Sequence, residues 1–392
     1  MNKTISIILI ATLILGIFSL ASCKSKTDGS TATESSESTV NSEAAQALTE
    51  CGIIHEPEFG GVYIKNTIEE FNALGYEYGD SVDVEFSNGY KLTGIPYYNG
   101  YYTQNGDPLL IAYPGYDYIK AAINNGDDLF EIAGLDENMT ASVSLNKRGG
   151  FLSIQNARDI HYTDNRDDYG SDEIFANFRA VDCTAVKKNT LFRSASPCDN
   201  QHNRATYVDS LLGEYGIRFI LNLSDNDDKI AVYMSKEDFS CDNFEKLYND
   251  GKVIPIALNM NFSSAEFKEK IVNGLTAMAG NEGPYLVHCT EGKDRTGFVC
   301  MLLEALVGAS YEEIEKDYMI TYDNYYGINP EKDSARYTVI VENVLQPMIK
   351  SMTGKDGVDI KSADLSVYAR EFLKSGGMTD EEITTLRNNI SG

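Results

Sequence analysis

The stretch His288-Cys-Thr-Glu-Gly-Lys-Asp-Arg-Thr-Gly297 sets both the fold and the chemistry expected of this chain. It places one thiol six positions before one arginine, around a glycine. Pro284–His288 before it is a short apolar run of buried-strand type, and Thr296–Val307 after it is an apolar helical run ending near Gly308. A strand, a tight turn and a helix start aim successive backbone N–H groups and the positive helix end into one small bowl. In such a bowl Cys289 is the nucleophile, because the local field favours the reactive thiolate. Arg295 offers a planar fork that grips two phosphoryl oxygens, and Gly292 lets the backbone approach an anion closely. The bland alternative is a buried free cysteine in a strand-to-helix turn.

The spacing recurs in Cys198-Asp-Asn-Gln-His-Asn-Arg204, which has no glycine and no buried-strand run before it. We read that copy as a loop coincidence.

The decapeptide resembles the P-loop of the cysteine-dependent protein tyrosine phosphatases, closest to a bacterial secreted branch acting on phosphotyrosine and, in some members, on phosphoinositides. Asn177-Phe-Arg179, Leu191-Phe-Arg-Ser194 and Gly216-Ile-Arg-Phe-Ile-Leu-Asn-Leu-Ser224 agree with that branch, and the resemblance covers roughly residues 150–392. It implies in-line attack by Cys289, a phosphocysteine, and hydrolysis by water. Thr290, Glu291, Gly292, Lys293, Asp294 and Arg295 would hold the phosphate, and the Thr296 hydroxyl would hydrogen-bond the sulfur. No cofactor or metal is needed, and the four histidines (55, 161, 202 and 288) lack ligand spacing.

The general acid departs from the family pattern. Where an aspartate is usual, the chain reads Asn222-Leu-Ser-Asp225, and an amide cannot donate a proton as a carboxylic acid does. Asp294 inside the loop is the first choice for the acid. Asp225 is the rival, with Asp227 and Asp228 behind it; a solvated turn is the bland reading of all three. Lys293 either binds a second anion or merely offsets Glu291. Arg193 either lines the pocket or forms a structural ion pair.

At the N-terminus, Lys3 precedes the apolar run Ile5–Leu20 and then Ala-Ser-Cys23. This matches a lipoprotein signal over residues 1–22, with Cys23 as the lipidated residue; a retained membrane anchor is the alternative. Residues 23–49 read as a Ser/Thr-rich flexible tether. The expected location is therefore the extracytoplasmic face of the cell membrane. With 59 acidic against 33 basic side chains, nucleic acid is excluded as a partner. The six remaining cysteines are too sparse for a disulfide scaffold, although Cys183 and Cys198 are open to pairing.

Residues 50–147 read as a small β-rich domain, a barrel or sandwich. Val82–Phe86 and Tyr90 onward form a hairpin over Ser-Asn-Gly89, pairing Val84 with Leu92. Strands follow at Leu109–Tyr113 and Met139–Leu145, with a short helix near 118–124. Residues 150–392 read as an α/β catalytic domain, a central sheet flanked by helices. Its strands fall near 217–223, 253–258 and 284–288. Helices fall near 204–215, 264–279, 310–320, 334–350, 362–374 and 379–390, with capping boxes at Ser263, Ser310 and Thr379.

The expected activity is phosphomonoester hydrolysis, with phosphotyrosine protein as substrate and phosphoinositides or inositol phosphates as rivals. An inactive phospho-ligand receptor, loop intact and acid lost, is a second class. A sulfurtransferase or arsenate reductase is a third.

Overall fold

The computed structural model describes residues 45–392. The signal segment, Cys23 and most of the tether lie outside the described residues. Residues 45–392 form one compact unit, built of a closed β-barrel and an α/β layer that share an interface. No helix among the described residues is long and apolar enough to cross a membrane.

The barrel comprises β1 (Leu48–His55), β2 (Val62–Thr67), β3 (Ser81–Phe86), β4 (Lys91–Tyr98), β5 (Pro108–Ile111), β6 (Tyr118–Ile123) and β7 (Thr140–Lys147). The order β1-β2-β6-β5-β4-β3-β7 closes through β7 on β1, so no strand edge is left unpaired. All pairs are antiparallel except β4 with β5. The β3–β4 hairpin has the expected register, Val84 opposite Leu92, with Gly89 at φ +89° closing the bulge. Leu48 is buried at the start of β1, so the tether ends before residue 48 rather than at 49.

The helix expected near 118–124 is instead strand β6. Ile119 and Ala121 point into the barrel core, while Ala122 packs outward against Tyr98, Leu109 and Ile111. With both faces covered, the segment lacks polar alternation, and pairing with β2 and β5 overrides the helical preference of its alanines.

The α/β layer holds β8 (Arg179–Ala180), β9 (Leu191–Ser194), β10 (Phe219–Asn222), β11 (Val253–Pro255) and β12 (Tyr285–His288) in the order β11-β10-β12-β9-β8. The central three are parallel and wholly buried, as strands with helices on both faces must be. β12 lies in the middle, and the helix Asp294–Val307 leaves its carboxyl end. From Thr296 to Val307 every residue of that helix is buried. Its core includes Cys300, a thiol pushed up to about 12 by burial.

The capping boxes at Ser310 and Thr379 form. The one expected at Ser263 moves to Ser264, whose hydroxyl accepts from Phe267 N–H without a reciprocal glutamate. The single helix expected over 334–350 is interrupted. Ser334–Ile340 passes through a π-turn at Val341–Leu345 into Gln346–Thr353. Pro347 has no N–H to give Asn343 and crowds its carbonyl. That freed carbonyl accepts instead from Gln104 Nε2 of the barrel at 2.8 Å.

Candidate active site

The loop after β12 is built from its outside inward. The Thr290 carbonyl accepts from Ser196 N–H at 3.1 Å. The Glu291 carbonyl accepts from the Tyr325 hydroxyl at 2.7 Å and from Asn177 Nδ2 at 3.3 Å. The Gly292 carbonyl accepts from Asn177 Nδ2 at 3.2 Å and Arg193 Nη2 at 2.9 Å. The Lys293 carbonyl takes Gly297 N–H at 2.8 Å. With every carbonyl from 290 to 293 tied outward, the N–H groups face the other way. Among the described residues none from Thr290 to Arg295 donates to a protein acceptor. Six unpaired amides at a helix start form a concave anion cradle.

Cys289 sits at the base of this cradle, 3% exposed. The ring of His288 is wholly buried, with Nδ1 3.3 Å from the Cys289 carbonyl, and burial drops its pKa to about 4, so it stands neutral. Arg295 donates to the Leu258 carbonyl at 3.2 Å and to Thr290 Oγ1 at 3.3 Å, which parks the guanidinium at the cradle's rim. Gly292 has φ +71°, and a Cβ there would drive into the Ser194 carbonyl at the end of β9. Thr296 Oγ1 is buried with no hydrogen-bond partner, so the expected bond to the sulfur is not formed in this structure.

The residues behind the cradle form a buried charge network. Arg193 Nη1 donates to Asp317 Oδ2 at 2.6 Å, and Arg179 Nη2 donates to the Asp317 carbonyl at 2.7 Å. Arg193 is therefore an ion-pair strut and does not line a pocket. Burial alone would raise the Asp317 carboxyl, but Arg179 and Arg193 hold it below the ordinary range. Glu304, buried in the helix Asp294–Val307, is pushed well above its usual value, first by burial and then by Asp317. Asn177-Phe-Arg179 and Leu191-Phe-Arg-Ser194 supply most of this scaffold.

Lys293 is also committed. Its Nζ lies 2.9 Å from Glu291 Oε2, 3.2 Å from the Tyr326 hydroxyl and 3.8 Å from Asp294 Oδ2. Glu291 receives a second bond from the Tyr162 hydroxyl at 2.9 Å. Burial opposes ionisation of Glu291, yet Lys293 and Tyr162 outweigh it and leave the carboxyl below its normal range.

The two carboxylates considered for proton transfer stand in different surroundings. Asp225 is 2% exposed. Its oxygens accept from Asn222 Nδ2 at 3.1 Å, Ser224 Oγ at 2.9 Å and the Tyr233 hydroxyl at 3.3 Å. Asn222 in turn caps the turn, accepting from Ser224 N–H and Asp225 N–H. Asp227 and Asp228 are exposed in the first turn of a helix, Asp227–Met234, that starts on the Asn226 cap. Asp294 instead lines a cavity of about 560 Å³ between the α/β layer and the barrel.

The second Cys-x5-Arg copy is structural. Arg204 is buried beneath the rings of Tyr162, Phe175 and Tyr325, and Cys198 lies in a hydrophobic cluster. Cys183 belongs to a different cluster from Cys198, and both are free thiols, so the pairing left open does not form.

Asp317, Thr321, Tyr325 and Tyr162 were not visible as site residues in the sequence. The first three did leave a trace: they fall with Ile314, Tyr318 and Tyr322 on one helical face, and a carboxylate on a buried stripe demands a partner. Tyr162 left none.

An amide-lined cradle on a central parallel strand, with a cysteine at its base and an arginine at its rim, is an anion site that a phosphate ester fits. The tyrosine phosphatase family model matches residues 151–391, and the chain belongs to that family. It is therefore a phosphatase of the tyrosine phosphatase family. No curated protein matches the chain. Among solved structures it is similar to the catalytic core of the PP-IP phosphatase SIW14 from S. cerevisiae, at 19% identity. That match covers 43% of this chain and 92% of the other, with a TM-score of 0.26. A TpbA variant from P. aeruginosa in complex with pTyr is 15% identical over 50% of this chain and 94% of its own, TM-score 0.27. PTPMT1 in complex with PI(5)P is 15% identical over 51% and 96%, TM-score 0.22.

Proposed function

We propose that this phosphatase hydrolyses phosphotyrosine in proteins through a phosphocysteine on Cys289. One observation carries the reading: six N–H groups from Thr290 to Arg295 are left without a protein acceptor in the loop that follows the buried thiol of Cys289. The Cys289 sulfur attacks phosphorus, the P–O bond to the tyrosyl oxygen breaks, and Asp294 gives that oxygen its proton. Water then attacks phosphorus, the S–P bond breaks, and the water's proton returns to Asp294. The loop amides and Arg295 stabilise the charge on the equatorial oxygens in both steps.

Asp294 is preferred to Asp225 because it lines an open cavity, whereas three donors consume the Asp225 carboxylate. Phosphotyrosine is preferred to phosphoinositides or inositol phosphates because Lys293, the loop's second cation, is already paired with Glu291. Turnover of p-nitrophenyl phosphate that falls by at least about 10³-fold in Cys289→Ser supports the enzyme. Phosphate binding without turnover would make the chain an inactive receptor. Activity confined to phosphoinositides would reassign the substrate.

We also propose that Cys23 carries the lipid that holds the protein at the extracytoplasmic membrane face. The lipobox-like Leu20-Ala-Ser-Cys23 supports this. Cys23→Ser is expected to move the protein from the membrane to the soluble fraction; unchanged membrane association contradicts the anchor.

A further inference from the structure

The cavity that Asp294 opens into has two walls from different parts of the chain. The α/β layer contributes Arg158, the loop at Met260–Ser263 and the helix segment from Asn343 to Ser351. The barrel contributes Tyr101, Thr103, Gln104, Asn105, Asn124 and the turn residue Phe59. The walls are sewn together rather than merely adjacent. Gln104 Nε2 donates to the Asn343 carbonyl at 2.8 Å, Asn105 Nδ2 to the Met260 carbonyl at 3.1 Å, and Asn261 Nδ2 to the Asn125 carbonyl at 3.0 Å. Met260 lies two residues beyond Leu258, whose carbonyl holds Arg295. Asp294 is thus shared by the phosphate loop and the cavity, whose volume of about 560 Å³ falls in the usual range of ligand sites.

We propose that this cavity is the subsite for the peptide segment flanking the phosphotyrosine, with the barrel as a substrate-reading wall. The inference rests on the phosphotyrosine reading and specifies it further. The lining selects the occupant by its chemistry. Arg158 is its one cation, so a ligand carrying several additional phosphates would meet a single counter-charge. An acyl chain offers no hydrogen bond to Thr103 Oγ1, buried without a partner, and would cover the Ser263–Ser351 hydroxyl pair and the Asn124 amide without adding any. A peptide supplies N–H and C=O groups for those atoms and an apolar side chain for Phe262, Met348 and the barrel's aromatic rings. Phe59, 75% exposed at the rim, is a large apolar side chain that a bound segment would cover.

The test compares three substrates on the full chain: an uncharged-flank phosphotyrosine peptide, free phosphotyrosine, and a phosphoinositide in phosphatidylcholine vesicles. The wild type is expected to prefer the peptide over the free amino acid by about tenfold or more in kcat/KM. Phe59→Ala at the rim and Ser351→Trp within the cavity are expected to erase most of that preference through KM, with kcat on the peptide retained. Turnover of free phosphotyrosine without peptide preference overturns the subsite and leaves the catalytic reading intact. Equal losses on both forms assign the two residues a purely structural role and overturn it as well. A vesicle preference that the variants abolish gives the cavity to lipid, against the proposal. Absence of turnover on both phosphotyrosine forms overturns the proposed function and the subsite together.

Discussion

At Gly292 two requirements meet that no other residue satisfies: a backbone at φ +71° and an approach to the Ser194 carbonyl that leaves no room for a Cβ. Gly292→Ala must displace the loop, and a displacement of about 1 Å at a reacting centre costs on the order of 100-fold. Steady-state kinetics on p-nitrophenyl phosphate should show that loss; wild-type kcat/KM would refute the close-approach argument. Asp294 and Asp225 separate by leaving group. Asp294→Asn should slow an alkyl phosphate by about 100-fold or more while sparing an activated aryl ester, whose leaving group needs no proton. Asp225→Asn should chiefly lower Tm, because it disturbs the bonds from Asn222, Ser224 and Tyr233. The opposite pattern transfers the acid to Asp225. At this scale the cysteine, arginine and glycine could be read directly, since their spacing is local. Lys293 was ambiguous because, beside the local Glu291, its partner Tyr326 meets it only once the helix Tyr311–Tyr326 is docked.

The elements around β12 act as a brace for the cradle. Asp317 sits far along the chain from Arg193, yet their 2.6 Å pair holds the arm that grips Gly292. Asp317→Asn should lower both Tm and kcat/KM, because one partner of a buried pair is left uncompensated. The acid dependence follows from the same groups. Asp317 and Glu291 have folded pKa values below the unfolded ones, so they add stability above the ordinary carboxylate range and lose it as pH falls through the folded values. Thermal melts should therefore weaken below about pH 4. Glu304 has the opposite sign: its folded pKa is raised, so it favours folding only in acid and opposes it at neutral pH. Glu304→Gln should raise Tm by roughly 2–4 °C or more near pH 7.5 and by nothing below about pH 4. A lowered Tm at pH 7.5 would mean that Glu304 is ionised in the fold. Helix periodicity and turn chemistry made these elements readable, including the Ser310 and Thr379 caps and the β3–β4 register. The failures share a cause. β6 looked helical because both its faces are covered, and the π-turn before Pro347 answers to a barrel side chain that local sequence does not contain.

On the scale of the whole molecule, the sequence divided cleanly at about residue 150, while the structure joins the two parts. Tyr98, Leu109, Ile111 and Ala122 of the barrel pack with Phe151 and Ile154, and side-chain to main-chain hydrogen bonds span the seam. Unfolding should accordingly be a single cooperative transition by circular dichroism and fluorescence; two separated transitions would return the barrel to independence. The shared cavity could not be foreseen, because it is made by surfaces that only tertiary contact brings together. The thiol at the base of the cradle carries the whole of the proposed chemistry. Its most direct test is a rapid denaturing quench of the enzyme during turnover of a phosphotyrosine peptide, followed by mass spectrometry of the peptide bearing Cys289. A phosphate on Cys289, lost in Cys289→Ser, is the predicted result. Turnover with phosphate on no residue, or on a residue other than Cys289, would contradict it.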